Sequence, residues 1–175
     1  MVRLASLDDL LVHELQDLYH AEAQNLKILP RLVNAASHPE LRAVLEEHRQ
    51  QTEVHRRRLE QCFMLLGVAA KARKCEGMGG VVEEAEQTME VKADRNVMDV
   101  ALIGIAQKVE HYEIAAYGSA CTYAELLGYD QVHELLGRTL DEEETADQKL
   151  TALAERLIGE GAEQLANAQP GGEQP

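Results

Sequence analysis

The sequence has few cysteines, few aromatic residues and no long apolar run, and each shortage excludes a class of protein. Its three cysteines are widely spaced and form no CxxC pair, which predicts free thiols in a reducing compartment. Residues 1–9 lack an apolar stretch of signal-peptide length, and no apolar run is long enough to span a membrane. Aromatic residues make up 3% and tryptophan is absent, so the core must be aliphatic. We therefore expect a cytoplasmic protein.

Positive charge is also scarce. Lys and Arg number 17 against 31 Asp and Glu, and the formal net charge is -14. A nucleic-acid or anionic-membrane partner requires a basic face, so we expect neither of them as a partner. The negative charge is mildly compatible with binding cations, although most of it keeps the protein soluble.

Helix-forming residues are abundant, and they predict an all-α fold. Proline and glycine break the chain into four long helices, predicted over residues 6–36, 40–66, 94–127 and 130–158. A capping box of Ser6 and Asp9 marks the start of the first helix, and Gly159 and Gly161 are predicted to close the last.

The segment between the second and third helices, residues 68–93, is too long for a tight turn. It is predicted to form a crossover that carries a short helix of its own, residues 81–91. The prediction is thus a ferritin-like four-helix bundle with a long crossover carrying a short fifth helix between helices 2 and 3. The bundle domain covers residues 1–160, and residues 161–175 are predicted to be a disordered tail.

Acidic residues interrupt the apolar stripes that should face the core of this bundle. In the third helix, Glu110 and Glu113 fall on the stripe that runs from Ile103 to Ala124. In the first helix Glu22 interrupts a row of leucines, and in the last helix Asp147 does the same. An isolated buried carboxylate is costly, so these acids should be paired, protonated or bound to a cation.

The last helix allows two choices for a further acid. Heptad phase favours Glu143 together with Asp147, whereas the i, i+3 spacing favours Glu144 with Asp147. We prefer Glu144 and keep Glu143 as the alternative. The second helix has no inward Glu, but it carries His48, Thr52 and His55 on its inner stripe.

Inward acids on three helices, with inward histidines on the remaining helix, are typical of a carboxylate-bridged dimetal bundle. Hard carboxylates with some imidazole suit iron or manganese. A second interpretation stays open. A single Glu on an apolar stripe is more often a helix-edge residue whose carboxylate reaches water, and the acids can pair with His48, His55 or each other.

At these residues the chain resembles the YciF/YciE family of ferritin-like bacterial stress proteins, over about residues 6–158. The matching segments are residues 17–24 (DLYHAEAQ), 48–52 (HRQQT), 75–78 (CEGM), 82–84 (VEE), 101–118 (ALIGIAQKVEHYEIAAYG) and 140–150 (LDEEETADQKL). The resemblance implies a ferritin-like fold, a homodimer, a dinuclear iron or manganese centre and a role in stress response.

The chain departs from this family in the second helix. Gln51 replaces a residue that is often Glu, and His55 replaces a residue that is often Gln. Imidazole is a good ligand for these metals, so His55 is the preferred ligand of this helix. The predicted metal-binding residues are Glu22, His55, Glu110, Glu113, Glu144 and Asp147.

Three functions are compatible with this set of residues, and one of them, ferritin-like storage in a shell, is disfavoured because the sequence shows no entry pore or assembly signal. The first of the other two is a dimetal protein that reacts with oxygen or peroxide, or handles iron, during stress. The second is a metal-free structural or interaction dimer with a relict site, which the residues Gln51 and Asp147 favour.

Overall fold

The computed structural model describes the backbone of residues 4–168 and the side chains of residues 4–159. Over that part of the chain it contains helices and no strand. The helices are α1 (Leu7–Ala35), α2 (Pro39–Leu65), α3 (Glu76–Glu90), α4 (Arg95–Leu126) and α5 (Asp130–Ala168).

Four of these helices form the predicted bundle. Helix α1 packs against α2 and α4, and α5 packs against α2 and α4, so each long helix has two neighbours. The short helix α3 lies in the crossover and packs on the outside, against α1 and α4. The all-α, ferritin-like architecture with an additional crossover helix is therefore confirmed.

Local sequence signals set most of the helix ends. The Ser6 hydroxyl accepts a hydrogen bond from the Asp9 amide (3.1 Å), and the Asp9 carboxylate accepts one from the Ser6 amide (3.2 Å), which confirms the capping box. Gly67 and Gly128 follow α2 and α4 with φ values of 68° and 74°. Such left-handed conformations favour glycine, and they end both helices where the sequence predicts.

The crossover helix begins at Glu76, five residues before the predicted start. The Cys75 thiol accepts a hydrogen bond from the Met78 amide (3.4 Å) and caps the helix. Met78 is fully buried in a small cluster with Ala21 of α1 and Val109 of α4. Its burial outweighs the low helix propensity of the glycines around it.

Helix α5 continues past the predicted end. Gly159 does not adopt a left-handed conformation, and the helix runs on to Ala168. Part of the predicted tail is thus helical, and residues 169–175 lie outside the described residues. None of the described helices combines the length and the apolarity needed to cross a membrane.

The aliphatic core falls into two halves. One half contains residues 11–18 of α1 and 59–63 of α2. The other contains residues 28–32 of α1, Ala36 directly after it, and residues 41–45 of α2. Helices α4 and α5 also contribute to both halves. In α4, residues 116–124 belong to the first half and residues 102–106 to the second. Between the two halves, every long helix contributes polar side chains to the interior.

Candidate metal centre

A polar layer crosses the middle of the bundle. All of its members have relative exposures of 2% or less. They are Glu22 and Asn25 of α1, His48, Thr52 and His55 of α2, Glu110 and Glu113 of α4, and Glu143 of α5. Burial of so many ionisable groups in an aliphatic core is unfavourable unless they compensate one another or bind a cation.

Helical phase explains why these side chains point inward. Glu110 and Glu113 are three residues apart and share one face of α4. Glu143 stands seven residues after Leu136 and seven before Leu150, and both leucines are buried. The leucines therefore fix the inward face of α5, and Glu143 lies on it.

Two groups of ligand atoms form within this layer. One ligand atom each from His48, Glu110, Glu113 and Glu143 lie within 4.8 Å of one another. A second group, also within 4.8 Å, consists of Glu22, His55 and Glu143. Glu143 belongs to both, as a carboxylate that bridges two metal ions would.

These spacings are close to what a metal ion requires. Ligand atoms bound at about 2.1 Å to the same ion stand at most about 4.2 Å apart, so small side-chain shifts suffice. In the first group, His48 Nε2 lies 3.5 Å from Glu110 Oε1, and the other ring nitrogen, Nδ1, lies 3.8 Å from Glu143 Oε2; one of the two nitrogens would bind the ion. In the second, His55 Nδ1 lies 2.8 Å from Glu143 Oε1 and 3.7 Å from Glu22 Oε1.

Neighbouring polar groups hold one oxygen of two of these carboxylates. The Tyr117 hydroxyl donates to Glu22 Oε1. The Asn25 amide donates to Glu113 Oε1 at 2.7 Å. Both bonds orient a buried carboxylate and leave its second oxygen available.

Many buried polar atoms of the layer have no hydrogen-bond partner within the part of the chain that the structure describes. They are Glu22 Oε2, both ring nitrogens of His48, His55 Nδ1, Glu110 Oε2, Glu113 Oε2 and both oxygens of Glu143. Native proteins rarely leave buried polar groups unpaired, so such a convergence requires an explanation. Each residue of the two groups contributes at least one of these unpaired atoms. Oxygen with some imidazole is the donor set that iron and manganese prefer. The residues present therefore fit a pair of such ions.

Without a metal, the cluster must hold protons. Burial raises the pKa of Glu22 to about 8, and Glu143 adds to this effect, although His55 and Tyr117 oppose it. Burial likewise raises the pKa values of Glu110 and Glu113 well above their usual range. Burial lowers the pKa of His48. Cations that bind here would displace protons from the carboxyl groups.

Glu143 and His55 behave differently from the rest. Burial opposes ionisation of Glu143, but His48 and His55 outweigh it and lower the pKa of Glu143 to about 2. Burial also opposes protonation of His55, but its contacts with Glu142, Glu143 and Glu22 raise its pKa to about 10. The metal-free layer thus contains an ion pair between the His55 imidazolium and the Glu143 carboxylate.

The structure brings together four of the six predicted metal-binding residues, namely Glu22, His55, Glu110 and Glu113. It corrects the choice made in the last helix. Glu144 is exposed because it lies about 100° around the helix from the face fixed by the leucines, and Glu143 takes the inward position.

Asp147 also lies outside both groups. Its side chain is 22% exposed at the edge between α4 and α5. There it accepts a hydrogen bond from Gln107 (3.2 Å) and lies 3.2 Å from His111 Nε2. His48 and Glu143 enter the groups instead, and heptad phase marks both of them in the sequence.

Fold and site together define a ferritin-like four-helix bundle with a buried carboxylate–histidine layer. Residues 6–163 match the family model described as "Domain of unknown function (DUF892)", and the chain belongs to this family. Protein YciF of Escherichia coli (strain K12) is 39% identical over 166 residues, which cover 94% of this chain and 100% of YciF. The chain is thus a homologue of YciF, which confirms the family predicted from the sequence.

Solved structures support the same relationship. The crystal structure of the E. coli stress protein YciF matches with a TM-score of 0.86 and 39% identity, over 89% of this chain and 99% of that one. YcfI from Rhodopseudomonas palustris matches with a TM-score of 0.80 and 39% identity, over 83% and 93%. A protein from Xanthomonas campestris pv. campestris shares the fold at 21% identity, with a TM-score of 0.72 over 92% and 99%.

Proposed function

We propose that this protein binds a dinuclear iron or manganese centre in its polar layer and uses it to react with oxygen or peroxide, or to handle iron, under stress. The observation that carries the proposal is the pair of ligand groups that share Glu143, in which every residue has at least one buried polar atom without a hydrogen-bond partner among the described residues. The E. coli relative is described as a stress protein, which fits such a role.

The residues divide between two metal positions. His48, Glu110 and Glu113 would hold the first ion, Glu22 and His55 would hold the second, and Glu143 would bridge them. Four buried carboxylates carry up to four negative charges, which two divalent cations balance while both histidines stay neutral. Iron or manganese bound there would supply electrons to a small oxidant.

The chain itself contributes orientation and the exclusion of water. Tyr117 and Asn25 fix the carboxylates of Glu22 and Glu113 through hydrogen bonds. The aliphatic residues above and below the layer keep bulk water out, so only small molecules would reach the centre. The carboxyl groups hold protons in the metal-free state and would release them as metal binds.

An anaerobic ferrous titration of the apoprotein tests the proposal. We expect about two ions per chain, as in dimetal bundles. Glu143→Gln should weaken both positions because its side chain belongs to both groups. Glu144→Gln is the matched control, since it makes the same change on the neighbouring exposed residue and should bind as the wild type does.

A metal-free structural or interaction role is the second candidate, and His55 is the observation that favours it. Its ring lies among Glu22, Glu142 and Glu143, and its imidazolium neutralises part of the buried charge without a metal. Under this alternative the ferrous titration of the wild type shows no binding.

We also propose that the protein acts as a homodimer in the cytoplasm, with a small oxidant rather than nucleic acid or membrane as its partner. The three cysteines, which are buried and free, suit a reducing compartment. Light scattering of the purified protein would distinguish a dimer from a monomer or a larger shell.

A further inference from the structure

One ion pair outside the two ligand groups contacts the centre directly. Glu142 of α5 lies with Oε2 at 2.8 Å from His55 Nε2. Arg58 of α2 donates to both oxygens of Glu142, at 2.7 and 2.8 Å. The three side chains form a continuous chain from the protein surface to the polar layer.

This chain is held firmly at its outer end. Arg58 also donates to the hydroxyl of Thr139 (3.2 Å), which is fully buried. The bidentate pairing fixes the plane of the Glu142 carboxylate, because both of its oxygens are engaged. The pair is partly shielded from water, with side-chain exposures of 17% for Arg58 and 32% for Glu142.

The consequence for His55 is a fixed ring orientation. Its Nε2 is engaged by Glu142, so its Nδ1 faces Glu22 and Glu143. Nδ1 lies 2.8 Å from Glu143 Oε1 but is not aligned for a hydrogen bond, so the contact between the two atoms is an ion pair only. A histidine ligand usually donates its other N–H to a carboxylate, which selects the nitrogen that binds metal.

His48 provides a contrast within the same helix. Among the described residues, neither of its ring nitrogens has a hydrogen-bond partner. The Glu142–Arg58 pair therefore contacts the second metal position, through His55.

We propose that Glu142 and Arg58 are positioning residues that hold His55 Nδ1 toward the second metal position, formed by Glu22, His55 and Glu143. This inference rests on the proposed function, since it assigns a role to residues that support the dimetal centre. His55 occupies a helix where the general dimetal pattern has a carboxylate, and an imidazole binds a metal ion through one nitrogen only. The contact at the other nitrogen therefore decides which atom faces the metal position.

The test uses the full chain, titrated with cobalt(II) and followed by visible absorption and equilibrium dialysis. Glu142→Ala removes the acceptor at Nε2, and Arg58→Met removes the clamp but keeps the carboxylate. In both variants the first equivalent should bind as in the wild type, and the second should bind about 10 to 100-fold more weakly. The absorption bands of the second equivalent should change as well, which a loss of packing alone would not cause.

Two neighbours supply matched controls. Glu144→Ala and Arg57→Met make the same chemical changes at exposed positions one or two residues away. Both should bind two equivalents with the wild-type spectrum. Circular dichroism checks the fold, and the milder variants Glu142→Gln and Arg58→Lys replace any variant that fails to fold, with a smaller loss in the same direction.

The outcomes separate the inference from the proposed function. If the wild type binds two ions and the variants bind both of them unchanged, the positioning role is wrong and the dimetal centre stands. If the variants lose both equivalents together, the pair does not act on one position and the inference also fails. If the wild type binds no metal, the proposed function fails and this inference fails with it.

Discussion

In the metal-free protein, Glu22→Gln should increase stability at neutral pH. Burial, assisted by Glu143, raises the pKa of Glu22 from its usual 4.5 to about 8. At pH 7 the side chain is therefore protonated in the folded protein and ionised in the unfolded chain. Folding must then take up a proton, and this costs free energy that a glutamine does not require.

The magnitude follows from the shift. For each pH unit above the pKa of Glu22 in the unfolded chain, the free energy of unfolding falls by about 1.4 kcal/mol, until the pH reaches the pKa of Glu22 in the folded protein. Between pH 4.5 and 7 the wild type thus loses about 3 kcal/mol at this residue. The Gln side chain has nearly the same shape, and its carbonyl can still accept the hydrogen bond from Tyr117.

The stability difference between the wild type and Glu22→Gln should depend on pH. Below pH 4.5 Glu22 is neutral in both states, so wild type and variant should have similar free energies of unfolding. As pH rises toward 8 the unfolded chain ionises first, and the stability contributed by the neutral carboxyl group is progressively lost. The variant has no ionisable group there, so its advantage should grow over this window.

Urea denaturation of chelator-treated protein at pH 5 and pH 7 measures the effect, with Glu144→Gln as the control at an exposed position. For a chain of this size, about 3 kcal/mol corresponds to a melting temperature about 6 to 12 °C higher. Ferrous iron should reverse the order, because the variant lacks a ligand of the second position. A variant that is less stable than the wild type at pH 7, or a difference that does not change with pH, would refute the reasoning.

Two further predictions concern the scaffold. Asp99 is buried and accepts hydrogen bonds from the backbone amides of Ser37 (2.7 Å) and His38 (3.0 Å). Asp99→Ala should therefore lower the free energy of unfolding, measured by urea denaturation, by about 2 to 4 kcal/mol. A loss below about 1 kcal/mol would show that water replaces the carboxylate. A Cβ on Gly77 would lie 2.6 Å from the Tyr112 ring, so Gly77→Ala should cost about 1 to 3 kcal/mol. Gly80→Ala, which meets open space, is its control and should be neutral or stabilising.

The sequence predicts the bundle well because its signals are local and repeated. Heptad stripes define the long helices, and left-handed glycines end two of them. The start of α3 is missed because glycine propensity argues against a helix at Gly77, while the burial of Met78 against α1 and α4 favours it. That contact joins residues far apart in sequence, and no local pattern reveals it.

The site is predicted in part for the same reason. Periodicity identifies Glu22, Glu110 and Glu113, because each interrupts an apolar stripe. The preference for Glu144 over Glu143 is wrong because it follows the i, i+3 spacing of the general dimetal pattern instead of the heptad phase of the leucines. The role of Glu142 cannot be predicted from α5 alone, since it depends on the contact with His55 across the bundle.

The central claim is that two ions share Glu143 in the middle of the bundle. Anomalous diffraction at the iron edge, from crystals soaked anaerobically with ferrous iron, tests it most directly. The account predicts two peaks in the polar layer, one beside His48 and Glu110 and the other beside Glu22 and His55, with Glu143 between them. A core without anomalous density, in which His55 remains paired with Glu143, would contradict the account.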